Sequence, residues 1–269
     1  MHKFVSSDGT VINYGDSGSG FPLVFIHGWM MSGAVWKYQF PLSGSYRVIT
    51  PDLRGHGNSG ASLFSYAACS DDLVELFNHL SLDSAILVGW SMGSQILLDS
   101  WPKLKERVAA SLLVSGTPRF CSGVEYPHGL SVAETRSMKA RLLRNFERTA
   151  GDFFKGMFAP GELDQSGYLE IARNVIGRLP STAVALSALD ELILSDFRIE
   201  LQNISVPVLL LHGSADLICP ASASRYMLER LKRAEMKIFE GSGHAPFLTR
   251  AVEFNTIVHN FAREIYGRD

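Results

Sequence analysis

Three cysteines, Cys69, Cys121 and Cys219, are too few and too scattered in 269 residues for a disulfide framework, and their spacing fits no zinc site. Their scarcity fits a reducing compartment, and the chain is read as cytoplasmic. No apolar run approaches the ~18 residues of a membrane span. The opening Met1-His2-Lys3-Phe4-Val5-Ser6-Ser7-Asp8-Gly9 also lacks the apolar stretch of a signal peptide. Charge of one sign is missing too. A formal net charge of −2 gives no global attraction to nucleic acid or an anionic membrane, so neither is an expected partner. Internal repeats and low-complexity tracts are absent. What is plentiful is apolar content: 46% hydrophobic residues suffice to bury a large core, as one α/β domain or one carrying an insertion.

Apolar runs of strand length alternate with helical patterns along most of the chain. Residues 3–7 and 11–14 predict two short strands around an Asp8-Gly9 turn. Further strands are predicted at 23–26, 46–50, 84–88, 108–114, 206–213 and 236–239, several apolar throughout and so suited to burial on both faces. Helices are predicted at 34–40, 66–80, 94–101 (ending before Pro102) and roughly 222–231. A final helix carries Phe254, Ile257, Val258, Phe261 and Ile265 on its inward face. This alternation predicts a mostly parallel sheet with helices on both faces, and it assigns functional groups to the carboxyl ends of strands.

From Arg119 to about Asn203 no β-like run appears. An all-helical block between two sheet strands predicts an inserted cap at 119–203, with the core formed by 1–118 and 204–269. Ser131-Val132-Ala133-Glu134 is a capping-box pattern that opens a long helix. At about 100° per residue, Met138, Leu142, Phe146, Phe153 and Met157 cluster on one side. Arg141, Arg144, Arg148 and Lys155 form a stripe nearly opposite, and Gly151 is the residue able to break the helix. Further helices are predicted at 169–176 and 181–194.

The chemical signal centres on Gly89-Trp90-Ser91-Met92-Gly93, between a predicted strand and a predicted helix. A serine at such a turn is a nucleophile elbow: the turn lifts the hydroxyl clear of the sheet, and flanking glycines relieve crowding in a strained backbone. A serine hydroxyl needs a base, and the base needs a partner to fix its tautomer. Asp216 lies just beyond one later strand and His244 just beyond the next, in the chain order serine, acid, histidine. Alone, Asp216 reads as a helix cap and His244 as one loop histidine among eight; with Ser91 they become the catalytic candidates. The developing oxyanion needs two donors, assigned to the backbone N–H groups of Met92 and of Trp29, which follows His27-Gly28. His27, Asp52 and His56 are assigned to loop architecture, and Cys219 is read as a small buried thiol. Trp90, Phe146 and Phe247 are candidate walls of a substrate pocket. The chemistry calls for no metal and no organic cofactor.

These residues also carry a resemblance. His27-Gly28, the run Asp52-Leu53-Arg54-Gly55-His56-Gly57-Asn58-Ser59, the elbow and the Asp216 and His244 loops are similar in order and spacing to the α/β-hydrolase superfamily, across nearly the whole chain. The resemblance implies the α/β-hydrolase fold with an inserted helical cap. A narrower set looks like the pimeloyl-[acyl-carrier protein] methyl ester esterases of biotin synthesis: Trp90 before the nucleophile, Thr117-Pro118-Arg119-Phe120, Tyr126-Pro127-His128-Gly129-Leu130, and Gly243-His244-Ala245-Pro246-Phe247. That resemblance implies hydrolysis of the methyl ester at the far end of a pimeloyl chain carried on acyl-carrier protein, with release of methanol. Two positions depart from the pattern: Ser94, where many relatives have a second glycine, and Tyr126, where tryptophan is expected. Since acyl-carrier proteins are acidic, Arg141, Arg144 and Arg148 are candidate docking residues; the alternative is a solvated helix face on which Arg148 pairs with Asp152. Alternative activities are a general short-chain carboxylesterase or a carbon–carbon bond hydrolase of the same fold. From another class comes a ligand-binding or signalling protein that retains a slow triad.

Overall fold

Along β3 (Pro22–Ile26) every residue is buried, and the side chains alternate between two hydrophobic cores. Val24 and Ile26 enter the first, Leu23 and Phe25 the second. The same alternation runs through β5 (Ala85–Trp90): Ala85 and Leu87 face the first core, while Ile86, Val88 and Trp90 face the second. In the computed structural model, which describes residues 1–60 and 64–267, these strands lie inside an eight-stranded sheet. Its order is β1 (His2–Val5), β2 (Val11–Ser17), β4 (Arg47–Pro51), β3, β5, β6 (Val108–Val114), β7 (Val208–Gly213), β8 (Ala234–Phe239). β2 pairs antiparallel with β1 and β4, and the remaining pairs are parallel. The register sets Ile26 against Gly89, Trp90 against Val114, Val114 against Leu211 and Gly213 against Phe239. The carboxyl ends of five strands therefore share one rim, the expected place for a site in such a sheet.

Helices cover both faces. α1 (Tyr66–His79) and α2 (Met92–Leu104) line the first core with Leu73, Leu76, Phe77, Ile96 and Leu97. α2 does not stop before Pro102 but continues two residues past it. A proline in the last turn removes few intrahelical bonds, so the helix tolerates it there. The helix expected at 34–40 is instead a 3-10 run, Gly33–Gly44, which contains Pro41 and packs Val35, Trp36 and Leu42 on the second core. Among the described residues, no helix is long and apolar enough to cross a membrane.

Between β6 and β7 lie α3 (Val132–Arg144), α4 (Phe146–Gly156), α5 (Gln165–Val175) and α6 (Thr182–Leu194). The capping box at Ser131 and Glu134 has both of its reciprocal bonds. The long helix expected from there is two helices, broken at Asn145 rather than Gly151. Asn145 closes α3 by donating its N–H to Arg141 O, and opens α4 by accepting the Arg148 N–H on its side chain. The inward row consequently splits: Leu142, Met138, Phe146 and Phe153 pack on the first core, whereas Met157 is buried in the second. The basic row splits too, with Arg141 and Arg144 exposed on α3 and Arg148 exposed on α4. Arg148 and Asp152 approach to 3.9 Å at the surface, a pair of small energetic weight. After β7 follow α7 (Ala221–Leu228), then β8, the one-turn α8 (Pro246–Thr249) and α9 (Ala251–Tyr266), whose Phe254, Val258 and Ala262 seal the second core.

Candidate active site

Ser91 sits between the last residue of β5 and the first of α2 with φ 55° and ψ −117°, a conformation that costs a non-glycine residue energy and persists only when its surroundings enforce it. Its N–H donates to Val114 O at 2.9 Å, and its carbonyl accepts from the Ser94 N–H at 2.9 Å. The turn packs directly on β3: a Cβ on Gly93 would lie 2.4 Å from Ile26 O and 2.8 Å from His27 O. Ser94, the departure from a second glycine, donates its hydroxyl to Gly89 O at 2.7 Å and so adds a bond within the elbow.

At the ends of β7 and β8, Asp216 and His244 meet. His244 Nδ1 lies 2.7 Å from Asp216 Oδ2, both side chains fully buried. The other carboxylate oxygen accepts the N–H groups of Ile218 at 2.8 Å and Cys219 at 3.0 Å. A third group, unassigned by the sequence reading, completes the arrangement. His212 Nε2 approaches Cys219 O at 2.7 Å and Asp216 Oδ2 at 3.2 Å, while its Nδ1 faces Ser224 Oγ at 2.7 Å. A proton on His212 Nε2, with Nδ1 accepting from the serine hydroxyl, satisfies all these contacts with a neutral ring. Burial by itself raises the Asp216 pKa, but the His244 ring and the hydrogen bonds from His212 and His244 outweigh it and hold the carboxyl far below the ordinary aspartate range. An ionised Asp216 orients the Nδ1–H of His244, which leaves the Nε2 lone pair outward. That Nε2 atom is buried and has no hydrogen-bond partner among the described residues. Burial and the Asp216 charge push the pKa of the Cys219 thiol well above the usual thiol range.

The proposed oxyanion donors flank the elbow. A Cβ on Gly28 would lie 3.3 Å from Ser91 Cβ, so the backbone entering Trp29 passes directly beside the serine. Met92 opens α2, where free N–H groups and the helix dipole favour negative charge. The Trp29 indole reaches the inserted segment, donating to Ala185 O at 2.9 Å and meeting Phe153 edge-on at 4.8 Å. Two of the candidate pocket walls lie elsewhere. Trp90 is 1% exposed and Phe247 0%; they pack against each other and against Trp36 in the second core, on the α9 side of the sheet. Strand alternation is the reason, because Trp90 shares a face with Val88. Trp90 acts on the site from beneath, its indole N–H donating to His244 O at 2.8 Å. Phe146 remains half-buried on the first core with Trp29 and Cys219.

The loop residues of the sequence reading form a second buried group. Asp52 accepts from Gly33 N and Asn58 N, each at 2.8 Å. His27 bridges Gly28 O at 2.8 Å and Leu53 N at 3.0 Å, with the His56 ring 5.3 Å away. Burial pushes the His27 pKa down to about 4 and that of His56 to about 3, from an ordinary 6.5. Between about 4 and 6.5 the unfolded chain therefore binds protons that the folded chain refuses, and stability falls as the pH is lowered through that window. At about 1.4 kcal/mol per unit, each ring removes roughly 2 kcal/mol by about pH 5. Urea midpoints measured at pH 7.5 and pH 5 should show this loss, and equal midpoints would rule it out.

Residues 23–257 match the sequence family described as the alpha/beta hydrolase family. Among named proteins, the chain is 34% identical to a pimeloyl-[acyl-carrier protein] methyl ester esterase of Nitrosomonas europaea, over 88% of this chain and 94% of that one. It is 32% identical to a putative non-heme chloroperoxidase of Synechocystis, over 93% and 94%. Among solved structures, an esterase from Exiguobacterium antarcticum superposes with a TM-score of 0.89 at 26% identity, covering 97% of this chain and 98% of that one.

Proposed function

From the premise that this chain belongs to the alpha/beta hydrolase family, we propose that it is a serine carboxylesterase that cleaves the methyl ester at the far end of a pimeloyl chain carried on acyl-carrier protein. The observation that carries the reading is the buried Asp216–His244 hydrogen bond of 2.7 Å, which leaves His244 Nε2 unpartnered among the described residues at the rim where Ser91 follows β5. Ser91 Oγ turns to Nε2, gives up its proton to His244 and attacks the ester carbonyl. The N–H groups of Trp29 and Met92 receive the oxyanion. Collapse expels methanol, which takes the proton back from His244, and an acyl ester remains on Ser91. Water deprotonated by His244 then releases the free carboxylate and restores the serine.

The substrate reading is supported by the Nitrosomonas relative and by the exposed Arg141 and Arg144 on α3 and Arg148 on α4, which offer positive charge to an acidic carrier. A carboxylesterase of broader range is the second reading, favoured by relatives whose names divide between esterases and haloperoxidases. The purified protein should hydrolyse pimeloyl-carrier methyl ester with a kcat/KM at least about tenfold above that for a free pimelate methyl ester. Reversing the three arginines to glutamate should erase most of that advantage, and added salt should do the same. Equal losses on carrier-bound and free ester would remove the docking role. No hydrolysis of the carrier-bound ester beside rapid turnover of short-chain esters would select the second reading.

A further inference from the structure

The loop that carries His244 is gripped from the inserted helical segment. After α4 the chain reverses at Ala159-Pro160-Gly161-Glu162, with Glu162 N donating to Ala159 O at 3.0 Å and Gly161 at φ 80°. Proline and a positive-φ glycine at the two central positions are the signature of a type II turn, so the turn is shaped by its own residues. The Glu162 side chain then folds back on three partners. Its Oε2 accepts the N–H groups of Ala159 at 2.7 Å and Gly243 at 2.8 Å, and its Oε1 accepts the Thr249 hydroxyl at 2.6 Å. Just before the turn, Met157 O accepts from His244 N at 2.6 Å. Since Trp90 holds the His244 carbonyl, both backbone polar groups of the histidine are fixed. There is no slack in the contact: a Cβ on Gly243 would come within 2.4 Å of Met157 O.

We propose that Glu162 is a positioning residue for the general base, clamping the 159–162 turn onto the 243–249 loop and thereby aiming the His244 ring at Ser91. It touches neither substrate nor the reacting atoms, and it acts through the peptide N–H of Gly243 and the hydroxyl of Thr249. The half-buried carboxylate accepts three hydrogen bonds, which makes the clamp charge-assisted and directional. Cap placement and base placement are thus a single event. The inference rests on the serine-hydrolase reading above.

The test uses the full-length protein, p-nitrophenyl butyrate and a fluorophosphonate that labels an activated serine. Glu162→Ala should lower kcat about ten- to a hundredfold with KM within about twofold, because a displaced base impairs chemistry rather than binding. Fluorophosphonate labelling of Ser91, which needs the same base, should slow in parallel. Glu162→Gln should recover to within about threefold of the parent, since one amide oxygen can accept both N–H groups while the NH2 donates to Thr249. Thr249→Val, which removes only one of the three bonds, should cost a few-fold in kcat and decides the matter if Glu162→Ala does not fold. Parental kcat in folded Glu162→Ala, an unchanged Thr249→Val, or Glu162→Gln as impaired as Glu162→Ala each overturns the clamp. Ser91→Ala run alongside separates the two levels: its inactivity with a fully active Glu162→Ala refutes the clamp alone, whereas a fully active Ser91→Ala refutes the nucleophile and the clamp together.

Discussion

Replacing Ser91 with alanine is expected to lower turnover of a p-nitrophenyl ester by about five to six orders of magnitude, the scale on which removal of a triad nucleophile acts. The substitution takes away Oγ and little else. Alanine keeps the Cβ at φ 55°, leaves the Ser91 N–H on Val114 O, and does not touch the Asp216–His244 bond. No backbone bond that shapes the elbow uses the deleted hydroxyl, so the loss should fall on chemistry and not on the fold. Steady-state rates and a melting curve on the same preparation separate the two. Turnover close to the parent's would exclude an acyl-enzyme on Ser91. Release of about a single equivalent of p-nitrophenol by the parent protein, with nothing afterwards, would instead favour a ligand-binding protein with a slow triad.

Asp216→Asn is expected to cost about three to four orders of magnitude in kcat, and it should also destabilise the fold. Every partner of this carboxylate is a donor: two backbone N–H groups on Oδ1, and His244 Nδ1 and His212 Nε2 on Oδ2. An asparagine must point its NH2 at one of these pairs. Facing Ile218 and Cys219, it sets donor against donor and opens the turn. Facing the histidines, it forces His244 to carry its proton on Nε2, where a base needs a lone pair. Either outcome leaves a buried polar group unsatisfied, at about 1 to 3 kcal/mol. The pH dependence of stability provides an independent check. A carboxyl depressed in the folded state contributes stability that is complete above its ordinary value of 3.8 and is lost as the pH falls further below it. Asp216→Asn should abolish that acid-side component; an undiminished acid transition together with parental kcat would mean that Asp216 has neither role.

The strand ends were readable because each catalytic candidate follows an apolar run that stops abruptly at glycine or a polar residue, and a parallel sheet brings such ends together. Trp90 was equally readable in principle, since its face is set by counting two from Val88, but proximity in sequence to the nucleophile suggested a wall of the pocket. Phe247 follows no strand period, and only the packing with Trp36 and Phe254 places it in the second core. The break at Asn145 had a local signal: asparagine caps helices well and propagates them poorly, whereas Gly151 costs a helix interior only about 1 kcal/mol. His212 lay within an apolar strand, where one polar residue is the cue that it has a partner to satisfy. Glu162 had no such cue, because the loop it holds is 81 residues away along the chain. Contacts of that kind are decided by how the inserted segment settles on the core, which no local pattern encodes.

The alternation in β5 assigns the neighbours of the nucleophile to two separate packing environments. Trp90 and Phe247, which brace the elbow and the histidine loop, answer to the α9 side of the sheet. Trp29, Phe146 and Cys219 lie on the other side, whereas Phe154 and Met157 of the inserted segment share the second core with Trp90 and Phe247. Substitutions at Trp29, Phe146 or Cys219 can therefore leave the Trp90–Phe247 bracing in place, while those at Phe154 or Met157 reach it directly.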